Sequence, residues 1–240
     1  MRAILLAGGK GTRLQPFTAV FPKPLVPLDD MPVIELLVQQ LAHYGLVDLT
    51  VVTGHLAELI QAFLGDGSRF GVRIKYFKEP TPLDTAGCLG LLEPGSEPFL
   101  VMNGDLLTTL DFGRLLAFHR TNRPLATIAS YRRQVKIDLG VLESDDQGRL
   151  VDYIEKPTYD FSVSMGVYCF DPAVCRYVRP GERVSMPELM LRLRDAGQPI
   201  LCYREDCYWL DIGRPDDYAR AIEDFRADRA RFLPVRKQAA

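Results

Sequence analysis

Cysteine, histidine and tryptophan are scarce in this chain, and none is arranged for metal chemistry. The five cysteines (Cys88, Cys169, Cys175, Cys202, Cys207) are scattered and odd in number, with no C-x-x-C pair and no Cys/His cluster. Zinc and a disulfide framework are therefore not expected, and the thiols read as buried or incidental. A surplus of one charge is also missing. Against 29 basic residues stand 31 acidic ones, a formal net charge of −2, with both signs interspersed. Such a balance leaves no electrostatic footprint for nucleic acid or an anionic membrane, so any phosphorylated ligand must be held by a local site. No apolar run approaches the ~20 residues of a membrane-spanning helix. The N-terminus reaches Gly8 without the charged and apolar regions of a signal peptide. The expectation is a cytoplasmic protein with no nucleic-acid or membrane partner. What is present, 47% apolar and 25% charged residues over 240 positions, suits a soluble globular enzyme.

Short apolar runs alternate with helical patterns through the first hundred residues. Residues 2–7 (RAILLA) read as a buried strand, followed by a glycine-rich loop and a proline-rich stretch over 22–28. Between Pro32 and Tyr44, Ile34, Leu37, Val38 and Leu41 recur at helical spacing. Strand patterns at 47–53, 72–77 and 99–103 are separated by helical patterns at 56–64 and 86–92. This alternation predicts repeated β-α-β units and a largely parallel sheet. Beyond a helix at 112–121, strand candidates at 125–133, 140–143, 149–155 and 164–170 predict strands added in mixed orientation. Helical patterns return at 186–196 and 215–232. No repeat or linker interrupts the chain, so one domain over 1–233 is expected, with residues 234–240 fraying. The fold class is α/β: a single-domain, Rossmann-like three-layer α/β/α arrangement around a mixed, mainly parallel sheet.

The strongest chemical feature is LAGGKGTRLQPFT, from Leu6 to Thr18. In open α/β sheets ligands bind beyond the carboxyl ends of strands, where this loop sits. Gly8, Gly9 and Gly11 permit a tight backbone that presents N–H groups to phosphate oxygens. Lys10 and Arg13 add positive charge, and Arg13 offers a forked donor. The spacing fits neither the dinucleotide-binding pattern nor the P-loop. Taken alone, the loop could equally be a tight turn carrying two solvated basic residues. Ten residues past Arg13, Pro22-Lys23-Pro24 sets one lysine between two prolines, which hold it on a stiff arm. That is a directed ammonium. Asp105, after the apolar run FLVMN, and Asp211, before the helix at Pro215, are lone carboxylates where strand ends or tight loops are expected. Standing alone, each reads equally as an exposed turn aspartate or a helix cap, Asp211 above all because a helix begins near Pro215.

The combination G-G-x-G-T-R-L-x-P-x-T followed by P-K-P resembles the signature of the sugar-phosphate nucleotidylyltransferase family, whose fold is the nucleotide-diphospho-sugar transferase fold. The resemblance continues along the chain. Pro82–Gly87 (PLDTAG) is similar to the family's L-G-T-A-G loop, with Asp84 in place of the usual glycine. Asn103-Gly104-Asp105 matches N-G-D, Glu155-Lys156-Pro157 matches E-K-P, and Trp209–Gly213 (WLDIG) matches W-x-D-I-G. One departure lies at SVSMG (162–166), where Ser164 or Met165 stands near the asparagine of many relatives. The resemblance implies a nucleoside triphosphate and a sugar 1-phosphate as substrates and Mg2+ as cofactor. It implies catalytic roles for Arg13, Lys23 and Asp105, with Asp105 and Asp211 as metal ligands. Nucleotide binding would fall to Leu6, Ala7, Gly8, Gly9, Lys10, Gly11, Thr12, Arg13, Leu83, Asp84, Thr85, Asn103 and Gly104. Sugar-phosphate binding would fall to Lys23, Gly140, Glu155, Lys156, Ser164 and Gly166. The look is closest to mannose-1-phosphate guanylyltransferase-like enzymes, so GTP is the preferred nucleotide, with dTTP, UTP and CTP as alternatives. Cell-surface polysaccharide biosynthesis and a homo-oligomer are further family expectations. A glycosyltransferase would show a D-x-D motif, which is absent; a silent binding relative would lack the charged residues present here.

Overall fold

The computed structural model describes residues 2–93 and 95–233, and the tail expected to fray lies outside them. The first strand, β1, is Arg2–Ala7, as its unbroken apolar run requires. A short hairpin, β2 (Pro27–Leu28) and β3 (Met31–Pro32), leads into α1 (Val33–His43), with Pro32 holding the extended backbone at its entry. Then come β4 (Asp48–Thr53), α2 (Ala57–Leu64) and β5 (Arg73–Lys78). The helix expected at 86–92 is instead one α-turn, α3 (Asp84–Gly87), continued as a 3-10 turn over Cys88–Gly90. Further on lie β6 (Phe99–Asn103), β7 (Leu106–Thr108) and α4 (Phe112–Asn122), the last capped by Asp111, which accepts from Arg114 N–H at 2.9 Å. The second half comprises β8 (Ala126–Lys136), β9 (Gly140–Ser144), β10 (Leu150–Glu155) and β11 (Thr158–Phe170). It continues through α5 (Met186–Asp195), β12 (Ile200–Arg204) and β13 (Trp209–Asp211) to α6 (Pro215–Ala227) and α7 (Arg229–Phe232). The helix expected over 215–232 is broken at Asp228, whose carboxylate caps α7 by accepting from Arg231 N–H.

Seven strands form the central sheet in the order β12-β8-β11-β6-β1-β4-β5. Strands β6, β1, β4 and β5 are mutually parallel, and β12 is parallel to β8. Strand β11 runs antiparallel to both β6 and β8. The sheet is therefore mixed and mainly parallel, as expected. Side-chain alternation along β1 builds the layers. Ala3, Leu5 and Ala7 join the core beneath α1, α2, α4 and α6, while Ile4 joins the one beneath α3 and α5.

The chain leaves β1 toward β4 and β5 on one side and returns to β6 on the other. The carboxyl ends of β1 and β6 therefore lie side by side at the point where strand order reverses. Gly104 N–H donates to Leu6 O at 2.9 Å across this point. The loops after β1 and β4 also meet closely. A Cβ at Gly54 would lie 2.7 Å from Gly8 O, a backbone atom that cannot yield. Gly54→Ala is expected to cost about 1–3 kcal/mol through overpacking, and to displace the Gly8 loop. Thermal melting checks this: a variant that melts with the parent protein contradicts the close approach.

Candidate active site

Lys23 is placed by the prolines around it. Pro22 holds extended backbone, and Lys23–Leu25 form a 3-10 turn closed by Leu25 N–H and Val26 N–H, donating to Pro22 O and Lys23 O at 2.8 and 3.1 Å. Pro24 faces Gly104, where a Cβ would lie 3.5 Å from Pro24 Cγ. The nearly buried ammonium thus emerges at the end of β6 and donates to Asp105 Oδ2 in a short ion pair. The loop before it is equally constrained. Gly11 has φ +62°, and a Cβ there would lie 2.9 Å from Thr18 Cγ2 and 3.1 Å from Lys23 Cβ. Thr18 Oγ1 and Leu14 N–H both donate to Gly11 O, at 2.7 and 2.9 Å. With Leu14 buried, Gly9, Lys10, Thr12 and Arg13 are left facing solvent.

Strand β13 brings Asp211 beside Asp105. It pairs antiparallel with β7, placing Asp211 opposite Leu106, and Ile212 N–H donates to Asp105 O at 3.0 Å. Arg13 flanks the same spot: a Cβ at Gly213 would lie 3.0 Å from Asp211 Oδ2 and 3.8 Å from Arg13 Cζ. Burial pushes the Asp211 carboxyl above its ordinary range, the Asp105 charge adds to this, and Lys23 and Arg13 pull it back. Asp105 Oδ1 is buried without a hydrogen-bond partner. A partnerless carboxylate oxygen beside a second, crowded carboxylate fits a divalent cation. Among the described residues no group of three or more His, Cys, Asp or Glu side chains could hold a metal. A two-carboxylate site suits magnesium, which draws its remaining ligands from waters and phosphates. The capping alternative for Asp211 does not hold, because α6 has Arg214 at its N-cap and no side-chain cap bond.

Next to Asp105, strand β11 is irregular. Its register with β8 shifts between Ser164 and Tyr168, and Gly166 takes φ +71° there. A Cβ at Gly166 would lie 2.6 Å from Asn103 Nδ2, so this backbone packs directly on the Asn103 side chain. Trp209 Nε1–H donates to Met165 O at 2.9 Å, pinning the irregularity. Met165 is buried and Ser164 is exposed, with Ser164 Oγ 3.0 Å from Tyr168 Oη, so Ser164 is the residue of the pair available to a ligand.

On the other side of β1, Asp84 takes a φ of +65°, in the left-handed region that favours glycine. Its carboxylate accepts from Thr85 N–H at 2.8 Å and lies 3.7 Å from Arg183, while Leu83 is buried. Sequence reasoning overlooked Glu79. It follows β5 directly, at the carboxyl end of a parallel strand, and that placement was its available signal. A Cβ at Gly8 would lie 3.1 Å from Glu79 Oε2, and Glu79 Oε1 is buried without a hydrogen-bond partner. Burial raises the Glu79 carboxyl, the Leu83 amide lowers it and the Asp84 charge raises it again. Gly140, Glu155 and Lys156 are not drawn into this cluster. They share the β9–β10 ribbon, where Glu155 pairs with Gly140 in register and Lys156 lies 3.8 Å from Glu155. No hydrogen bond or ion pair among the described residues joins them to Lys23, Asp105 or Asp211. Of the three histidines, His119 is buried with Nδ1 2.8 Å from Thr127 Oγ1, and its burial lowers its pKa.

Residues 2–228 match the family described as Nucleotidyl transferase. The chain belongs to that family. It is 34% identical to the UTP–glucose-1-phosphate uridylyltransferase of Synechocystis sp. and 33% identical to the mannose-1-phosphate guanylyltransferase of Mycobacterium tuberculosis, with 92% of the chain aligned to each. It spans 62% and 64% of those relatives' own lengths. A Bacillus anthracis protein described as a glucose-1-phosphate thymidylyltransferase, solved with sucrose, superposes with a TM-score of 0.76 at 26% identity, over 94% of this chain and 95% of that one. Among the described residues of this nucleotidyl transferase no helix is long and apolar enough to cross a membrane.

The crowding at Asp211 has a thermodynamic consequence. A folded-state pKa raised above the unfolded one means the fold binds the proton more tightly. Its stabilising effect is full at pH below the ordinary aspartate range and is lost as pH rises through the folded pKa. Asp211→Asn should therefore melt about 2–4 °C higher than the parent at neutral pH without metal, a gain that vanishes in acid. Millimolar Mg2+ should raise the melting point of the parent but not of the variant. A variant that melts lower at neutral pH contradicts this electrostatics.

Proposed function

We propose that the chain transfers a nucleoside monophosphate from a nucleoside triphosphate to a sugar 1-phosphate, releasing pyrophosphate. The observation that carries this reading is the convergence of Arg13, Lys23, Asp105 and Asp211 at the carboxyl ends of β1 and β6. An oxygen of the sugar 1-phosphate attacks the α-phosphorus in line. A phosphorus–oxygen bond forms, the bond to the β-phosphate oxygen breaks, and pyrophosphate leaves. The nucleophile is already an anion, so no general base is required. The protein's task is to position two mutually repelling phosphates and neutralise their charge. The Gly8–Arg13 loop holds the triphosphate, and Lys23 sits where the α-phosphate meets the incoming phosphate. Asp105 and Asp211 would hold magnesium, which when bound supplies positive charge to phosphate oxygens. Arg13→Ala and Lys23→Ala are each expected to lower pyrophosphate release by about 10²–10³-fold while keeping a cooperative melt. Near-parental release by both variants would refute this reading.

Guanine is the base this site favours. The relatives of similar identity are named for uridylyl and guanylyl transfer, so the choice must come from the side chains. A carboxylate only accepts hydrogen bonds. Guanine presents two adjacent donors, N1–H and N2–H, which match both oxygens of a carboxylate. Uracil and thymine present one N–H between two carbonyls, which a carboxylate repels and an amide suits. Glu79 offers such a carboxylate, with Oε1 buried without a partner and Oε2 beside Gly8. The Asp84 carboxylate is turned to Thr85 and Arg183 instead. Glu79→Gln should lower kcat/KM for GTP roughly 10–100-fold, the value of one or two charged hydrogen bonds, and spare UTP. Equal losses with both nucleotides would remove Glu79 from base selection. A cytoplasmic location and a place in cell-surface polysaccharide synthesis complete the proposal.

A further inference from the structure

A cleft of about 920 Å³ opens beside Asp211, between α6 and the outer part of β8. Strand β12 accompanies β8 only along Ala126–Ser130, and beyond that limit β8 runs on with β11 as a two-stranded arm. Tyr131 and Arg133, two residues apart on β8, share one face of the arm. Tyr131 lies 5.6 Å from Trp209 on β13, and Arg133 continues that wall outward. Another wall is the start of α6, with Arg214, Asp217 and Arg220. Arg13 and Asp211 also line the cleft, so it is continuous with the cluster at the ends of β1 and β6.

Six arginines and four acidic residues line this cleft, an excess of basic charge in a chain whose formal net charge is −2. Three of the arginines are engaged. Arg132 binds Asp160 in a forked pair at 2.7 and 2.6 Å, Arg220 lies 3.3 Å from Asp224, and Arg231 stands 5.4 Å from the centre of the Tyr208 ring. Of the acids, Glu205 accepts from Tyr203 Oη at 2.7 Å. Arg133 and Arg214 have no hydrogen bond or ion pair among the described residues. Arg214 belongs to the same tight turn as Asp211. It follows Gly213, whose N–H donates to Asp211 O at 2.9 Å and where a Cβ would lie 3.8 Å from Arg13 Cζ. The backbone thus sets Arg214 one residue from the point where Arg13 approaches, and Pro215 stiffens the first turn of α6 behind it.

We propose that this cleft receives the pyrophosphate as it leaves, with Arg214 binding the end remote from the α-phosphorus. The inference rests on the proposed transferase reaction. In-line displacement puts the attacking and leaving oxygens on opposite sides of the phosphorus. Ser164, the residue of β11 available to an acceptor, points to Tyr168 on the face of the sheet covered by α3 and α5. The cleft opens on the other face, where Trp209 and Tyr131 pack on the core beneath α6. Acceptor and leaving group therefore have separate approaches. When the bond to the α-phosphorus breaks, its electron pair stays on the bridging oxygen, and pyrophosphate gains negative charge. Arg13 meets that charge at the loop. A second forked donor farther out stabilises the departing group more than the bound triphosphate. Arg214 has no protein partner to give up when the anion arrives.

Calorimetry with inorganic pyrophosphate and Mg2+ on the purified chain tests this without turnover. Arg214→Ala should weaken pyrophosphate binding about 10-fold, the value of one charge-assisted hydrogen bond at an exposed position. Arg214→Lys should recover part of that loss, and the affinities for GMP and UMP, which have no β- or γ-phosphate, should stay those of the parent. Arg220→Ala removes a cleft charge already committed to Asp224 and should leave pyrophosphate binding unchanged. In the reverse reaction, Arg214→Ala should raise KM for pyrophosphate and leave KM for the nucleotide sugar as it is. A parent protein that binds no pyrophosphate, binding unaffected by Arg214→Ala, or an equal loss from Arg220→Ala would each overturn the proposal. The transferase reading fails separately, if no nucleotide is turned over while pyrophosphate binding still depends on Arg214.

Discussion

Lys23 and Asp105 come from segments 82 positions apart and meet where water has little access. Each stabilises the other there, since removing one partner of a buried ion pair commonly costs about 3–5 kcal/mol. Their pairing fixes the relation between the proline-braced turn and the end of β6. Much else follows from that relation. Gly11 is favoured as glycine by its φ of +62° and by Thr18 and Lys23 packed against it, and Gly104 is kept small by Leu6 O, 3.0 Å from where a Cβ would lie. Asp211 is crowded because β13 runs beside β7 next to a carboxylate already in place. The site is thus a set of charges held close together by backbone geometry before any substrate arrives, which is the preorganisation that phosphoryl-group chemistry requires.

Charge on the two sides of this pair is deliberately unequal in its satisfaction. Asp105 spends one oxygen on Lys23 and keeps the other without a partner. Glu79 does the same on the far side of the Gly8 loop. A buried carboxylate oxygen without a partner costs stability, and a bound cation or donor removes that cost. The core beneath the site, with its apolar strands covered on both faces, is large enough to carry that cost. The β8–β11 arm has no such reserve, which is why the two halves of the molecule differ in how much structure they can sustain alone.

Much of this was legible in the sequence. The parallel half of the sheet declares itself through continuous apolar runs such as RAILLA and FLVMN, because strands covered on both faces admit no polar alternation. The phosphate loop and the Pro22-Lys23-Pro24 turn are local devices, so their residues stand together in the chain. What escaped was set by distant contacts. The three-residue strands β7 and β13 exist through their pairing with each other and are too short to leave a pattern. The edge strand β12 is only half-covered, and its ILCYR lacks a clean alternation. Glu79 lies outside every motif and acquires meaning only when Gly8 and Leu83 close around it. The residues Glu155 and Lys156 show the converse: their motif is plain, yet the fold leaves them at the β9–β10 ribbon, apart from Lys23 and Asp105.

The central claim is that the charges gathered at the ends of β1 and β6 join a nucleoside triphosphate to a sugar 1-phosphate. It is tested most directly by pyrophosphate release from the purified chain with Mg2+, across a grid of five nucleoside triphosphates and the common sugar 1-phosphates. The account predicts release that requires both substrates and is greatest with GTP, accompanied by a nucleoside diphosphate sugar in equal amount. Binding of nucleotide with no pyrophosphate released in any combination would contradict it.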